Sequence, residues 1–249
     1  MLKRVLLLVC ALALLTSCVP PEESNDKVKR YDPEENVMGQ IQERGVLRIA
    51  VPSDHPPFAI VENGQVHGGF LVEIGTLAAE SLGVEPEFSA YPSDQLLGLI
   101  EDNPKKCTRE TEVDLVFPMV PITEELLGGF TLTDPYWVGH TRELTEPPRR
   151  AGGISLPSPD VELLKIAYEN PGVKITGEEQ STEGYGAASR CGTTTFGTLI
   201  SQVFNEADAE GDWSRFYEEW LAEYFAEPEP DNVPIMSVED AAALHPEGI

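Results

Sequence analysis

Residues 45–84, with the sequence GVLRIAVPSDHPPFAIVENGQVHGGFLVEIGTLAAESLGV, contain the pattern that sets the fold class of this chain. Residues 46–51 form a short apolar run that Pro52 closes, which is typical of a buried strand. Residues 69–82 then repeat apolar side chains at helical spacing, and Gly83 follows as a C-terminal cap would. The pattern therefore predicts a buried strand followed by an amphipathic helix.

The same alternation continues along the chain. The predicted elements are a strand at 84–88, a helix at 94–100 with Asp94 as its N-cap, and a strand at 113–117. Alternating strands and helices are typical of an α/β fold. Ligands of open α/β sheets bind beyond the carboxyl ends of the strands. The turns at 52–58 and 118–125 are therefore the predicted ligand-binding segments.

The amino terminus has the pattern of a secretory signal. Two basic residues at 3–4 precede an apolar run at 5–15, and small residues lead to Cys18. Eleven apolar residues are too few to span a bilayer, which takes about 20. Residues 15–18, Leu-Thr-Ser-Cys, resemble the lipobox of bacterial lipoproteins, which implies cleavage of residues 1–17 and lipid attachment to Cys18. The alternative is an ordinary signal peptide with an incidental cysteine.

The composition is strongly acidic. There are 43 acidic and 17 basic residues, for a formal charge of −26. Cleavage after residue 17 removes two basic residues, so the charge of the remaining 232 residues is −28. A surface of this sign repels phosphate backbones, so we expect no nucleic-acid partner.

Both ends of the mature chain are polar. Residues 18–36 combine prolines with charged residues and few apolar ones, which predicts a flexible linker. Residues 227–249 predict an acidic, proline-containing tail with one helical segment at 238–244. Folded sequence is expected to begin near Val37.

Two cysteines remain for the folded body. Cys10 leaves with the signal and Cys18 carries the lipid, which leaves Cys107 and Cys191 in an oxidising compartment. We expect one disulfide between these two residues. Two independent buried thiols are the alternative, because sequence alone does not give the distance between them.

Three blocks of the sequence resemble one protein family. The first is residues 45–84, and the second is DLVFPMVPITEELLGGFTLTDPYW at 114–137. The third combines ENPGVKITGEEQSTEGYGAASR at 169–190 with NEADAEGDWSRFYEEWL at 205–221. In this order and spacing, the blocks resemble the family 3 extracellular solute-binding proteins, the amino-acid-binding components of ABC importers.

The resemblance implies an α/β, periplasmic-binding-protein-like type II fold, in which two lobes close on a small solute. Lobe 1 would span 37–136 together with the returning segment 185–226, and lobe 2 would span 137–184. Lobe 2 would be truncated, since a segment of this length is too short for a two-layer lobe with its own core. We expect its helix to begin at Asp160 as N-cap, and residues 192–195 to cap a helix over 196–206.

The resemblance also implies a set of ligand contacts in the strand-end turns and at the start of the first long helix. These residues are Asp54, His55, Phe58, Phe70, Pro121 and Thr123. Some positions depart from the family, because His55 replaces an aromatic residue, Pro121 a carboxylate-binding threonine and Leu126 an arginine. Leucine offers no donor to a carboxylate, so the usual amino-acid clamp is missing. We expect a small polar solute other than a standard amino acid.

Sequence patterns for catalysis are missing. The four histidines form no H-x-x-x-H or H-E-x-x-H pattern, and neither G-x-S-x-G nor a glycine-rich phosphate loop is present. We expect no enzymatic activity, no cofactor and no metal.

The leading hypothesis is a monomeric solute-binding protein of an ABC importer, held by its lipid anchor on the extracytoplasmic side of the cell membrane and recognised by permease subunits. The alternative is a surface sensor or interaction lipoprotein that has lost solute binding, and an enzyme on the same scaffold ranks third.

Overall fold

The computed structural model describes residues 28–103, 105–107, 110–145, 157–227 and 236–245. The predicted signal segment and the predicted lipid site at Cys18 lie outside the described residues.

Helices and strands alternate along the described chain, as the sequence predicts. The helices are α1 (Val37–Arg44), α2 (Phe70–Leu82), α3 (Leu96–Ile100), α4 (Glu124–Gly129), α5 (Asp160–Glu169), α6 (Thr194–Glu210), α7 (Asp212–Trp220) and α8 (Val238–Ala243). The strands are β1 (Val46–Pro52), β2 (Ile60–Glu62), β3 (Gln65–Gly68), β4 (Glu85–Tyr91), β5 (Leu115–Val116), β6 (Phe130–Gly139), β7 (Thr141–Leu144), β8 (Ser158–Pro159), β9 (Ile175–Thr176) and β10 (Glu183–Arg190).

The main sheet has five strands in the order β4-β1-β5-β10-β6. β1 is parallel to β4 and β5, whereas β10 is antiparallel to β5 and β6. β10 therefore returns from a distant part of the sequence to lie inside the sheet. Because β4 and β5 flank β1 on opposite sides, the carboxyl ends of β1 and β5 border a topological switch point, where α/β sheets bind ligands.

Apolar side chains cover both faces of the main sheet. On β1, Leu47, Ile49 and Val51 join the larger apolar cluster, whereas Ala50 joins a second, smaller cluster. This alternation follows from the two-residue period of a strand. Helices α1, α2, α6 and α7 contribute to the larger cluster, and α3 lies with the smaller one.

The predicted helix at 238–244 is confirmed as α8, and it packs on the main sheet. Ala241 and Ala242 are buried in the smaller cluster. The backbone N–H of Val238 donates to Oδ1 of Asp134 at 3.0 Å. The segment predicted to be a tail therefore contributes a helix that covers part of one sheet face.

Two glycines set the limits of α2. Gly69 has φ 124°, and a Cβ there would lie 2.6 Å from the carbonyl oxygen of Phe58, so only glycine fits this approach. At the other end, Gly83 is left-handed with φ 67°, and its N–H bonds the last carbonyls of the helix. The predicted cap at Gly83 is confirmed.

The segment after β6 forms a small second sheet. β7, β8 and β9 pair antiparallel in the order β8-β7-β9, and α5 packs against them. Val161, Leu164 and Ile175 from this region belong to the same apolar cluster as α2 and β1. The reduced lobe 2 therefore shares one continuous core with lobe 1.

The predicted disulfide is confirmed. Cys107 and Cys191 are bonded, with their Cα atoms 5.3 Å apart and a sequence separation of 84. The bridge ties the segment before β5 to the residue that follows β10.

Three predicted helix starts were wrong. Asp94 lies inside a 3₁₀ turn and α3 begins at Leu96, so Gln95 and not Asp94 occupies the N-cap position. Asp160 is the first residue of α5 and does not cap it, since two buried donors elsewhere occupy its carboxylate. α6 begins at Thr194 rather than at 196.

Residues that precede Val37 in the sequence already contact the folded part of the chain. The side-chain amide of Gln42 in α1 donates to the carbonyl of Lys29 at 2.8 Å, and its oxygen accepts from the N–H of Tyr31 at 3.0 Å. The described part of the predicted linker therefore lies against α1.

Candidate functional site

The candidate site is the crevice beyond the carboxyl ends of β1 and β5. The turn after β1 carries Asp54 and His55, and the segment after β5 carries Pro121 and Thr123. α5 of the reduced lobe reaches the same region through Glu162, which contacts His55. The crevice thus brings together three segments that are far apart in sequence.

His55 is held between two carboxylates. Its Nδ1 lies 3.1 Å from Oδ1 of Asp54, and its Nε2 lies 3.2 Å from Oε1 of Glu162. A carboxylate only accepts hydrogen bonds, so both ring nitrogens must donate. This geometry favours the imidazolium form of His55.

The pKa shifts of the three groups agree with this arrangement. Burial acts to lower the pKa of His55, but the hydrogen bonds that His55 donates to Glu162 and Asp54 outweigh it, and the pKa is raised. The hydrogen bond to His55 lowers the pKa of Glu162. Burial acts to raise the pKa of Asp54, yet hydrogen bonds from His55 and Ser93 lower it overall. One positive charge therefore lies between two negative ones.

The two carboxylates differ from His55 in exposure. The side chain of His55 is only 6% exposed, whereas those of Asp54 and Glu162 are 40% and 52% exposed. Asp54 is also fixed by Ser93, whose N–H and hydroxyl donate to it at 3.1 and 3.0 Å. The crevice therefore offers negative oxygen atoms to solvent and keeps its cation inside.

A second acidic group lies deeper, at the junction with lobe 2. Asp160 is fully buried, and its carboxylate accepts from Nε1 of Trp137 at 3.2 Å and from the N–H of His140 at 3.0 Å. Burial raises the pKa of Asp160 to about 7, against the lowering effect of these hydrogen bonds. The carboxylate fixes the strand end that leaves lobe 1.

Phe58 and Phe70, two of the predicted ligand contacts, belong to a packed aromatic cluster. Phe58 and Phe70 are fully buried, and each packs edge-on against Trp137, at 5.7 and 6.1 Å between ring centroids. Trp137 in turn stacks on Trp213 at 5.9 Å. In this arrangement Phe58 and Phe70 are core residues, and their role as ligand contacts stays a prediction.

The segment after β5 has a structural function in the described conformation. Pro121 and Thr123 are buried, and the hydroxyl of Thr123 caps α4 by accepting from the N–H of Leu126 at 3.3 Å. Leu126 packs against the smaller apolar cluster. The position where the family resemblance implies an arginine is therefore occupied by an apolar side chain that packs against the core. The role of Pro121 and Thr123 as ligand contacts stays a prediction.

Sequence reasoning missed two residues of this region. Neither Glu162 nor Trp137 is among the ligand contacts predicted from the sequence. The structure makes Glu162 a partner of His55, and it makes Trp137 the ring that joins both lobes. Both contacts join residues far apart in the chain, so no local pattern identifies them.

Two features of the described residues concern metal binding and membrane insertion. These residues contain no group of three or more histidine, cysteine, aspartate or glutamate side chains that could hold a metal ion. In the same part of the chain, every helix is too short or too polar to cross a membrane.

Comparison with known proteins gives a family match. Residues 47–223 match the family "Bacterial extracellular solute-binding proteins, family 3". A curated relative, the L-cystine-binding protein TcyJ of Escherichia coli (strain K12), is 24% identical over 113 residues. That match covers 45% of this chain and 40% of the relative, so the chain spans well under two thirds of the relative's length.

Solved structures share the fold. An ancestral cationic amino acid solute-binding protein gives a TM-score of 0.59 at 18% identity, over 74% of this chain and 99% of the other. An ancestral cyclohexadienyl dehydratase gives a TM-score of 0.56 at 20% identity, over 75% of this chain and 96% of the other. At these identities the likeness shows the periplasmic-binding-protein type II fold alone. Because the family match covers most of the chain, the protein belongs to the bacterial extracellular solute-binding proteins, family 3.

Proposed function

We propose that this chain is the solute-binding component of an ABC importer, exported and held by lipid at Cys18 on the extracytoplasmic side of the cell membrane. Family membership supports binding of a small solute. One structural observation carries the proposal: the turn after β1 and the first turn of α5 meet at the switch point of the sheet, where charged oxygens reach solvent.

The charges of the crevice favour a solute that carries a positive group. Asp54 and Glu162 are both about half exposed, and each has a lowered pKa that keeps it ionised. Leu126 stands where the family resemblance implies an arginine, so a solute carboxylate would lack its usual partner there. An ammonium or guanidinium group can instead take both carboxylates as acceptors.

Binding without catalysis is part of the proposal. The hydroxyl of Ser93 bonds Asp54 rather than His55, so the histidine is not placed to take the proton of that hydroxyl. Both nitrogens of His55 already donate to carboxylates, which leaves no free base at this position. This arrangement supports a recognition site rather than a reacting one.

Isothermal titration calorimetry of the protein without its signal segment tests the solute class. Arginine, lysine, putrescine and spermidine are titrated beside glutamate and glutamine. We expect saturable heat from at least one cationic solute and none from glutamate. Glu162→Gln should weaken that binding about tenfold or more, because a hydrogen bond to a charged group is lost. Glu80→Gln, an exposed change on α2, is the matched control.

A panel without any saturable binder would contradict solute binding. It would favour the second candidate, a surface sensor or interaction lipoprotein, which one observation supports: α5 packs on lobe 1 with Val161 and Leu164 in the shared core. If the second candidate is correct, a pull-down from membranes should recover a stable protein complex. If the importer hypothesis is correct, the recovered proteins should include permease subunits. Sedimentation of the purified protein tests the expectation of a monomer.

Membrane attachment has its own test. Mass spectrometry of the exported protein should find lipid on Cys18 as the first residue, and Cys18→Ser should release the protein from the membrane fraction. An unmodified Cys18 in the exported protein would remove the lipid anchor and leave the solute-binding proposal intact.

A further inference from the structure

A second cleft, of about 420 Å³, lies at the opposite end of the main sheet from the crevice. Its lining includes Arg44 at the end of α1, Arg48 near the start of β1, and Arg190 at the end of β10. β10 runs antiparallel to β5, which places Arg190 beside the amino-terminal ends of the parallel strands. Three arginines thus converge on one concave surface of a chain whose formal charge is −26.

Each arginine is held in place by part of its guanidinium group. Arg48 donates to both carboxylate oxygens of Asp114, at 2.9 and 3.2 Å, and to the carbonyl of Thr111 at 2.9 Å. Arg44 donates to Asp114 at 2.5 Å and to the carbonyl of Val46 at 3.0 Å. Nη1 of Arg190 donates to the carbonyl of Cys107 at 2.9 Å. The side chains are therefore positioned before any ligand arrives.

These bonds leave donors for a ligand. Among the described residues, the bonds of Arg44 and Arg48 use their Nε and Nη2 atoms and leave Nη1 of each available, while Arg190 uses only Nη1. Guanidinium groups pair with two oxygens of a carboxylate or phosphate at once. The cleft therefore presents the type of donor that recognises an oxyanion.

The carboxylate shared by two of the arginines is less exposed than the arginines themselves. Asp114 is shared by Arg44 and Arg48, and its side chain is 6% exposed, against 34% and 30% for the two arginines. The anion is thus buried and the cations face the cleft. Glu110 also lines the cleft, and Glu87 and Glu112 act electrostatically on Arg48 from outside the lining.

The start of α6 opens toward the same region. Thr193 takes the N-cap position, but its hydroxyl donates to the carbonyl of Arg190 at 2.7 Å and does not cap the helix. Arg190 and Thr193 also line an adjoining cavity of about 170 Å³, together with the exposed acids Glu34 and Glu35 at its edge. The positive end of the α6 dipole adds to the field of the arginines.

We propose that this cleft is a second binding site, distinct from the crevice, which takes a small oxyanion such as a carboxylate or a phosphate on Arg44, Arg48 and Arg190. The site binds one anionic group and leaves the crevice free for the cationic solute. The two sites lie at opposite ends of the same parallel strands.

Calorimetry with inorganic phosphate, sulfate and succinate tests this proposal, with chloride at matched ionic strength as the reference. We expect saturable binding of at least one oxyanion to the intact chain. Arg190→Gln should weaken that binding at least about tenfold, because charge-assisted hydrogen bonds are lost. Arg215→Gln, on the exposed surface of α7, is the matched control and should leave the affinity unchanged.

A second measurement does not depend on any variant. Phenylglyoxal labels accessible arginines, and mass spectrometry reports the rate at each position. The bound oxyanion should slow labelling of Arg44, Arg48 and Arg190 several-fold and leave Arg215 unaffected. Equal labelling rates with and without anion, or identical heats from oxyanion and chloride, would overturn the proposal whatever the outcome of the cationic-solute titrations.

Discussion

Nε2 of His55 lies 3.2 Å from Oε1 of Glu162, and this contact joins the turn after β1 to α5 across 107 residues of sequence. It is the polar counterpart of the shared apolar core, since it links the same two parts of the chain. Its strength depends on the charge of both partners, which makes it sensitive to pH.

The pH range of this contact follows from the two pKa shifts. The raised pKa of His55 gives a contribution to stability that is complete below the ordinary value of 6.5 and is lost as pH rises through the raised value. The lowered pKa of Glu162 gives a contribution that is present above 4.5 and is lost as pH falls through the lowered value. Both groups are charged between these ordinary values.

Glu162→Gln should therefore destabilise the protein most at mildly acidic pH. Because Glu162 is half exposed and screened by solvent, the expected loss is at most about 1 kcal/mol. Urea unfolding at about pH 6 and about pH 9 should show the loss only at the lower value. Glu169→Gln, an exposed change on the same helix, should show no such dependence. An equal loss at both pH values would contradict the ionic contact.

Asp160→Ala should cost more, about 2–4 kcal/mol, because it leaves the N–H groups of Trp137 and His140 buried without an acceptor. Asp212→Ala, which breaks an exposed pair with Arg215, is the control and should cost less than about 1 kcal/mol. Denaturant unfolding measures both. A loss from Asp160→Ala no larger than that of the control would show that the two donors find other acceptors.

The raised pKa of Asp160 adds a pH dependence of its own. Its pKa is raised from 3.8 to about 7, so the contribution of this group to stability is lost as pH rises through about 7. Asp160→Asn cannot ionise, and it should lose less stability relative to the natural protein at about pH 8 than at about pH 5. Equal losses at the two pH values would contradict the raised pKa, because they would mean that Asp160 is already ionised in the folded state at about pH 5.

Reduction of the bond between Cys107 and Cys191 should destabilise the protein by about 2–5 kcal/mol, since a long loop gains freedom in the unfolded chain. The loop spans 84 residues of sequence. Thermal unfolding with and without reductant measures the change. A variant with both cysteines replaced by serine is the control. It should unfold at the temperature of the reduced protein, and reductant should not change that temperature.

Gly184→Ala should displace α8 from the sheet. A Cβ at this position would lie 2.7 Å from the Cβ of Ala241 and 3.0 Å from Pro135. Overpacking of this kind costs about 1–3 kcal/mol. Gly128→Ala is the matched control, because nothing lies within 4 Å of its added Cβ. Urea unfolding compares the two changes.

A chain truncated before residue 236 lacks α8, so it distinguishes the contact with Ala241 from the contact with Pro135. If α8 is the obstacle, Gly184→Ala should destabilise the truncated chain less than the full chain. The same penalty in both would place the conflict at Pro135 alone.

The main sheet follows from local patterns. The apolar run at 46–51 and the helical spacing at 69–82 each lie on one element, and β1 and α2 confirm both. Gly83 ends α2 because its conformation is set by its own residue type. The disulfide follows from compartment and elimination, which also require no knowledge of the fold.

The polar contacts follow from the fold and so could not be predicted in this way. Asp160 has the residue type of an N-cap, but a buried indole and a buried backbone N–H from the preceding strands compete for its carboxylate. His55 lies in a turn where the sequence predicts a ligand contact, and α5 covers it and brings Glu162 into contact with it. Both outcomes depend on how a shortened lobe 2 docks, and that docking is a tertiary event.

The single apolar core of the two lobes has a consequence for cooperativity. A movement of α5 and β9 away from lobe 1 would expose Val161, Leu164 and Ile175, which belong to the shared apolar cluster. The cost is roughly 25 cal/mol for each Å² of apolar surface exposed. A hinge that exposes its own core cannot move independently of global stability. Heating should therefore melt both lobes in one calorimetric transition, and a solute that requires the open form must supply this energy from its own binding.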